Sequence, residues 1–235
     1  MALADALRAK LLEVSTATLT TQMLKRGFRN VYMSGVRPLH QGGPRMVGEA
    51  TTLRCIPARE DLDSLEALAS TKHPQRKAIE TIAAGHVLVV DCRGELGAAG
   101  VGAILVARLK ARGAAGFVCD GGVRDAGEAA SLGLPVFAAG SSAPPSVMRH
   151  HAVAIDQPIG CGGVAVYPGD VVVGDGDGVV VLPAPLAAEV AEAAHEQERL
   201  EQFIMAEIQA GKPLFGTYPP NAETLARYRA ARSRS

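Results

Sequence analysis

The stretch from Gly85 to Asp125, GHVLVVDCRGELGAAGVGAILVARLKARGAAGFVCDGGVRD, constrains the fold more than any other part of the sequence. It alternates a strand, a glycine-rich turn, a helix, a second strand and a polar loop, which is one βαβ unit. Val87-Leu88-Val89-Val90-Asp91-Cys92 is a continuous apolar run of the kind expected when both faces of a parallel sheet are covered. The spacing predicts a helix from about Gly100 to Arg112, with Val101, Ile104, Leu105 and Leu109 on one side, Lys110 and Arg112 in the last turn and Gly113 as the stop. Gly116 to Asp120 forms the second strand.

A parallel crossover brings the helix start and the loop after the second strand to the same, carboxyl, edge of a sheet, where open α/β folds bind ligands. The small residues from Gly97 to Ala103 let a ligand approach the unpaired backbone N–H groups of the helix start. Arg124 offers a planar cation suited to a carboxylate or phosphate, and Asp125 a hard oxygen ligand for a divalent cation. The alternative from the pattern alone is a solvated Arg124–Asp125 turn pair, with glycines that only permit tight packing.

The chain resembles the RraA-like family, which comprises regulators of RNase E activity and class II 4-hydroxy-4-methyl-2-oxoglutarate aldolases. The residues that carry the likeness are GELGAAG followed by ARGAAGFVCDGGVRD, then VSTATLTTQMLKRG and GPRMVGEATTLRC near the N-terminus, and PIGCGGVAVYPGDVVVGDGDGVVVLP in the late strands. The resemblance implies an α/β fold of the swivelling β/β/α type: a single domain over 1–235, with central β-structure flanked by helices and a long C-terminal helix. It also implies a trimer or a pair of trimers, with the helix and tail from about 185 at a subunit interface.

The same resemblance implies chemistry. Arg124 would hold the carboxylate of a pyruvate-like substrate, supported by backbone amides near Gly102, Ala103 and Ile104, and Asp125 would bind Mg²⁺ or Mn²⁺. Aldolases of the family carry an acidic residue near the start of the site helix, holding metal-bound water; here that place is Ala103. Glu95, one turn upstream, is a candidate substitute. Glu201, with Glu198 as second choice, corresponds to an acidic residue supplied by the neighbouring subunit; a solvated helix face is the alternative for Glu201. The implied reaction is metal-dependent cleavage of a 4-hydroxy-2-oxo acid to pyruvate, or decarboxylation of an oxaloacetate-type acid. A dehydratase acting on a sugar-acid derivative, and a non-catalytic regulator that docks on an RNase E-type ribonuclease, are the alternatives.

Composition limits the partners. Lys plus Arg and Asp plus Glu are equal at 24 each, so no net field favours nucleic acid or an anionic membrane. No apolar stretch approaches the ~20 residues of a membrane span, and MALADALRAKLLEV lacks the apolar centre of a signal peptide. Cys55, Cys92, Cys119 and Cys161 are widely spaced, which fits reduced thiols in a cytoplasmic protein.

Along the rest of the chain, residues 4–26 read as two helices, the second capped by Ser15 and closed by Gly27, with threonines 16, 18, 20 and 21 facing solvent. Met46 to Ile56 is a strand, and residues 59–63 a solvated charged connection. His73-Pro74 precedes a helix over 75–84. A short helix over 126–132 leads to the strand Val136–Ala138 and the loop Ser141–Pro145. His150 and His151 are adjacent, so they cannot face one metal from a strand, and both are expected to be exposed. Residues 152–181 give three or four strands, with Gly174–Gly178 as a hairpin turn rather than a calcium loop. A helix over about 186–210 shows Leu186, Val190, Ala193 and Ala194 on one side and glutamates on the other. Those apolar positions and the valine-rich late strands exceed what one sheet face needs, a second sign of oligomerisation.

Overall fold

The computed structural model describes residues 3–232; the two residues before and three after, part of the domain expected over 1–235, lie outside the described residues. In chain order, α1 (Asp5–Glu13) and α2 (Thr16–Lys25) lead to β1 (Arg37–Pro38) and the long strand β2 (Met46–Pro57). Next come α3 (Pro74–Thr81), β3 (His86–Asp91), β4 (Ala99–Val101), α4 (Ala103–Ala111), β5 (Gly116–Cys119), β6 (Gly122–Val123) and α5 (Ala126–Ser131). Then follow β7 (Val136–Ala138), β8 (Gly140–Ser141), β9 (His150–Ile155), β10 (Ile159–Cys161), β11 (Val164–Val166), β12 (Val171–Asp175) and β13 (Gly178–Leu182). The chain ends in α6 (Ala187–Gln209), the single turn α7 (Leu214–Thr217) and α8 (Ala222–Arg232).

The main sheet runs β1-β7-β5-β3-β2-β12-β13, with β9 also on β2. Strand β2 can serve three neighbours because it is long. One edge pairs in parallel with β3 over Glu49–Arg54, while the other pairs with β12 over Met46–Glu49 and then with β9 over Leu53–Pro57, with an irregularity at Arg54/Cys55. The expected βαβ unit is present as β3-α4-β5, with Val87 opposite Gly116 and Val90 opposite Cys119. The sheet curls until β1 lies against β13, and Tyr32 Oη and Arg37 Nη1 both donate to the Asp177 carbonyl. The result is a nearly closed β-structure with helices outside it, as the swivelling β/β/α expectation requires.

Apolar side chains divide among three cores. Leu88, Val90 and Phe117 pack beneath α3, α4 and α5; Val87, Val89, Val118 and Phe137 fill the interior with the β10–β11 hairpin; Val171, Val173 and Val180 face α1, α2 and α6. On α6 the buried residues are Ala187, Val190, Ala191, Ala194 and Ile204, so its inward stripe is the expected one shifted slightly, with Ala193 at its margin. The hairpin reading of Gly174–Gly178 holds, since β12 and β13 pair antiparallel with Asp175 opposite Gly178. Among the described residues no helix is long and apolar enough to cross a membrane. All four cysteines are free and buried.

Four sequence expectations need correction. The helix expected from Gly100 starts at Ala103, because residues 99–101 form β4 and pair in parallel with β6. Thr16 and Thr18 are buried: Thr16 Oγ1 donates to Asp175 at 2.7 Å, and the Thr18 N–H donates to the capping Ser15 Oγ at 3.1 Å. His150 is also buried, its Nε2 3.1 Å from the Ala98 carbonyl, while His151 Nδ1 turns to Asp63 at 2.8 Å. The same contact takes Asp63 out of the solvated charge run, because its side chain is 3% exposed.

Candidate functional site

A small three-stranded sheet, β4-β6-β8, sits beyond the carboxyl ends of the main strands and is parallel throughout. Each strand ends at a candidate group: β4 runs into Gly102, β6 into Arg124 and Asp125, and β8 into Ser142. The main sheet thus aims the chain, and the small sheet fixes the last few ångströms of register. The Arg124 N–H donates to the Val101 carbonyl at 2.9 Å, which ties the Arg-Asp pair directly to the residue before the helix cap.

Two further features hold this edge. Asp120 leaves β5 and its carboxylate accepts N–H bonds from Cys92 at 2.7 Å, Gly94 at 3.1 Å and Gly162 at 3.3 Å. That one side chain joins three loops, at a position where sequence reasoning saw only the end of a strand. Gly121 must be glycine, because a Cβ there would lie 2.5 Å from the Cys92 Cβ.

Helix α4 opens at Gly102, which is extended, and no side chain caps it. Its first N–H groups therefore remain available, with the partial positive charge of the helix start behind them. Gly102, Ile104, Arg124 and Asp125 line one cleft of about 270 Å³, together with Gln75, Arg76, Leu68 and Ser146 from distant segments. The Ala103 side chain is buried in the core, so this residue offers the site only its amide. Ile104 is 83% exposed at the cleft rim.

Arg124 and Asp125 are each half exposed, with Arg124 Nε 4.0 Å from Asp125 Oδ1. Neither side chain makes a hydrogen bond within the described chain. Asp125 has φ 54°, the left-handed region that costs an ordinary side chain strain but that Asp tolerates better than most. A strained carboxylate beside a guanidinium, loosely ion-paired to each other and otherwise free of hydrogen bonds at an open helix start, is an arrangement suited to an anionic ligand and a cation together.

The remaining candidates lie elsewhere in the chain's own geometry. Glu95 does not line the cleft; it accepts from the Gly97 N–H at 2.5 Å, and that bond, helped by Arg149, lowers its carboxyl below the ordinary range. Glu198 accepts from the Ser15 N–H at 2.9 Å and the Ser15 hydroxyl at 2.6 Å. Burial pushes the Glu198 carboxyl up, but those bonds outweigh it and the net shift is downward. Glu201 is half-buried and accepts from Gln197 Nε2 at 2.7 Å. Both glutamates lie on α6, which packs on α1 and α2, and neither lines the cleft of the same chain.

The RraA-like family model, described as Aldolase/RraA, matches residues 13–181. The chain belongs to that family. Two relatives, from Halalkalibacterium halodurans and Xanthomonas campestris pv. campestris, carry the name "Putative 4-hydroxy-4-methyl-2-oxoglutarate aldolase". The first is 33% identical over 70% of this chain and 72% of its own, the second 35% over 76% and 99%. Among solved structures, Streptomyces coelicolor RraAS2, described as an unusual member of the RNase ES inhibitor RraA protein family, superposes with a TM-score of 0.76. It is 34% identical, over 86% of this chain and 97% of its own. The family thus carries both kinds of name that the resemblance implied.

The signals for the Arg-Asp pair and the helix start were local in sequence, which is why they were legible. Gln75, Arg76, Leu68 and Ser146 reach the same cleft from the α3 region and the loop before β9, and no local pattern marks them.

Proposed function

We propose that the protein is a divalent-metal-dependent lyase that cleaves a 4-hydroxy-2-oxo acid to pyruvate, with decarboxylation of oxaloacetate-type acids at the same site. The observation that carries this reading is the pair Arg124 and Asp125, free of hydrogen bonds and side by side in the cleft at the uncapped start of α4. Arg124 grips the C1 carboxylate through parallel N–H bonds, and the amides at Gly102, Ala103 and Ile104 take the remaining negative charge.

The donor set is compatible with a hard cation. Among the residues that line the cleft Asp125 is the one carboxylate, and among the described residues no three His, Cys, Asp or Glu converge on one point. Mg²⁺ commonly uses one or two carboxylates and takes its other ligands from water and substrate, which is what a half-exposed Asp125 permits. A bound Mg²⁺ or Mn²⁺ would polarise the 2-oxo carbonyl and so favour the enolate.

In the cleavage the C3–C4 bond breaks and its electron pair enters the pyruvate enolate. The C4 hydroxyl loses its proton as C4 becomes a carbonyl, and C3 is later protonated to give pyruvate. We assign the proton-accepting carboxylate to Glu201 of a neighbouring copy in a trimer or pair of trimers, as the family resemblance implies; Glu201 accepts one bond from Gln197, whereas Glu198 is held by both donors of Ser15. Four buried free thiols suit a reducing compartment such as the cytoplasm.

Arg124→Lys tests the assignment. Lysine keeps the charge but not the fork, and losing one charge-assisted bond costs roughly 1.5–3 kcal/mol, or about 10- to 100-fold in kcat/KM. The assay uses 4-hydroxy-2-oxoglutarate and oxaloacetate with Mg²⁺ or Mn²⁺. Equal constants in variant and wild type would remove Arg124 from the site. A wild type inert towards both acids would favour a ribonuclease regulator, a reading supported by Ala103 at the place of the missing carboxylate and by the inhibitor-family relative from Streptomyces coelicolor.

A further inference from the structure

Three buried side-chain polar atoms have no hydrogen-bond partner among the described residues: Arg45 Nε, His73 Nδ1 and Gln75 Oε1. Of the three residues, Gln75 alone lines the cleft that holds Arg124 and Asp125. It stands in the first turn of α3, immediately after Pro74, and is 5% exposed. Its Nε2 donates to the carbonyl of Gly100 in β4. That contact settles which way the amide faces, because only the NH₂ end can donate to a carbonyl. The oxygen end is therefore left as an acceptor without a donor.

A buried acceptor with no donor is an expense that folded proteins rarely keep, and each such group calls for an explanation. The rest of the cleft makes the explanation specific. Arg124, Arg76 and the helix-start amides are donors, matched to the carboxylate and carbonyl oxygens of an acid; Asp125 is the charged acceptor, matched to a cation. A neutral acceptor has no counterpart on pyruvate itself. It has one on a substrate that carries a hydroxyl.

We propose that Gln75 is the residue that reads the substrate's 4-hydroxyl: Oε1 accepts its hydrogen bond while Nε2 stays on Gly100. This rests on the lyase reading and deepens it, since it separates 4-hydroxy-2-oxo acids from oxaloacetate, which lacks that hydroxyl. A neutral amide does not remove the hydroxyl proton; it orients the group so that a carboxylate can. Oε1 is screened from solvent, so the hydroxyl reaches it only when the groups that cover it move aside. The short helical turns Ala67–Ala69 and Ser146–Met148 carry Leu68 and Ser146 into the cleft wall and take no part in the sheets, which makes them the segments that give. Sites built to bond a hydroxyl reject analogues without it, because the buried partner is then left unpaired.

The test compares wild type with Gln75→Met, which keeps length and bulk but removes both polar atoms. The readout is the ratio of kcat/KM on 4-hydroxy-2-oxoglutarate to kcat/KM on oxaloacetate. A hydroxyl-reading role lowers that ratio about 10- to 100-fold, whereas loss of the Gly100 bond alone depresses both substrates together and leaves the ratio unchanged, which would overturn the proposal. If the variant does not fold, wild type decides by itself. The expected result is that 2-oxoglutarate, the same acid without the hydroxyl, inhibits with an affinity about 10- to 100-fold weaker than that of 4-hydroxy-2-oxoglutarate, and equal affinities overturn the assignment. Turnover of neither substrate by wild type removes the lyase reading and this one together; turnover of both with an unchanged ratio removes only the role of Gln75.

Discussion

Two regions of this molecule use the same residue types to opposite ends. At the α2–α6 seam, Ser15 caps α2 through the Thr18 N–H, Glu198 accepts twice from Ser15, and Thr16 donates from both N and Oγ1 to Asp175. Each of these carboxylates and hydroxyls has a partner inside the chain. At the cleft, the start of α4 is uncapped, Arg124 and Asp125 have no hydrogen bond and Asp125 holds a left-handed φ. One helix start is closed by side chains and the other is open. The difference teaches which charged groups are structural: those whose bonding capacity is already met stabilise the fold, and those left open are where a ligand gains most.

Asp125→Asn should produce the largest effect. Because the carboxylate makes no hydrogen bond and asparagine also tolerates the left-handed region, thermal stability should stay at wild type. Metal-dependent turnover should fall by at least about 100-fold and Mn²⁺ affinity should drop with it, since a neutral amide is a far weaker ligand for a hard cation. Wild-type turnover and Mn²⁺ titration in the variant would mean that the open carboxylate is not a metal ligand, and the contrast between the two regions would lose its functional meaning.

The same contrast explains what sequence could reveal. Arg124, Asp125 and the glycine-rich helix start follow one another within one βαβ unit, so spacing alone brought them together, and the hydrophobic period placed β3, α4 and β5 within a few residues. The small sheet escaped notice because its strands are two or three residues long, too short for any period, and so the start of α4 was read three residues early. Polar residues are usually exposed, yet His150 and Thr16 are buried against partners from far along the chain, and Thr18 is buried beside the capping Ser15 three residues away. Gln75 was invisible for the same reason, since its meaning depends on a carbonyl 25 residues away.

The seam offers the converse experiment. Ser15→Ala removes the cap on α2 and one of the two donors to Glu198, and such cap losses cost about 0.5–2 kcal/mol. Chemical denaturation should show that loss with an unchanged m-value, while kcat/KM per folded protein should match wild type. A fall in turnover instead, with stability intact, would move this seam from scaffold to site and bring Glu198 forward as the catalytic glutamate.

The smallest effect is a pH dependence on the cleft side. Burial lowers the pKa of His150, and the Ala98 carbonyl, acting in the opposite direction, does not cancel it. A histidine whose folded pKa lies below its unfolded value of about 6.5 binds fewer protons when folded. Its contribution is fully present above that value and is lost as pH falls through the folded pKa. Stability should therefore decline as pH drops below about 6.5, with a slope of at most ~1.4 kcal/mol per pH unit for one proton. His73, also lowered mainly by burial, adds to the decline with the same sign. His150→Gln, which cannot titrate, should flatten the slope without abolishing it, whatever it does to absolute stability. Protonated His150 still donates from Nε2 to the Ala98 carbonyl, so the decline comes from the cost of burying the charge and not from loss of that bond. Urea titrations of both proteins at several pH values compare the slopes directly, and identical slopes would mean that the burial of His150 does not contribute to the pH dependence.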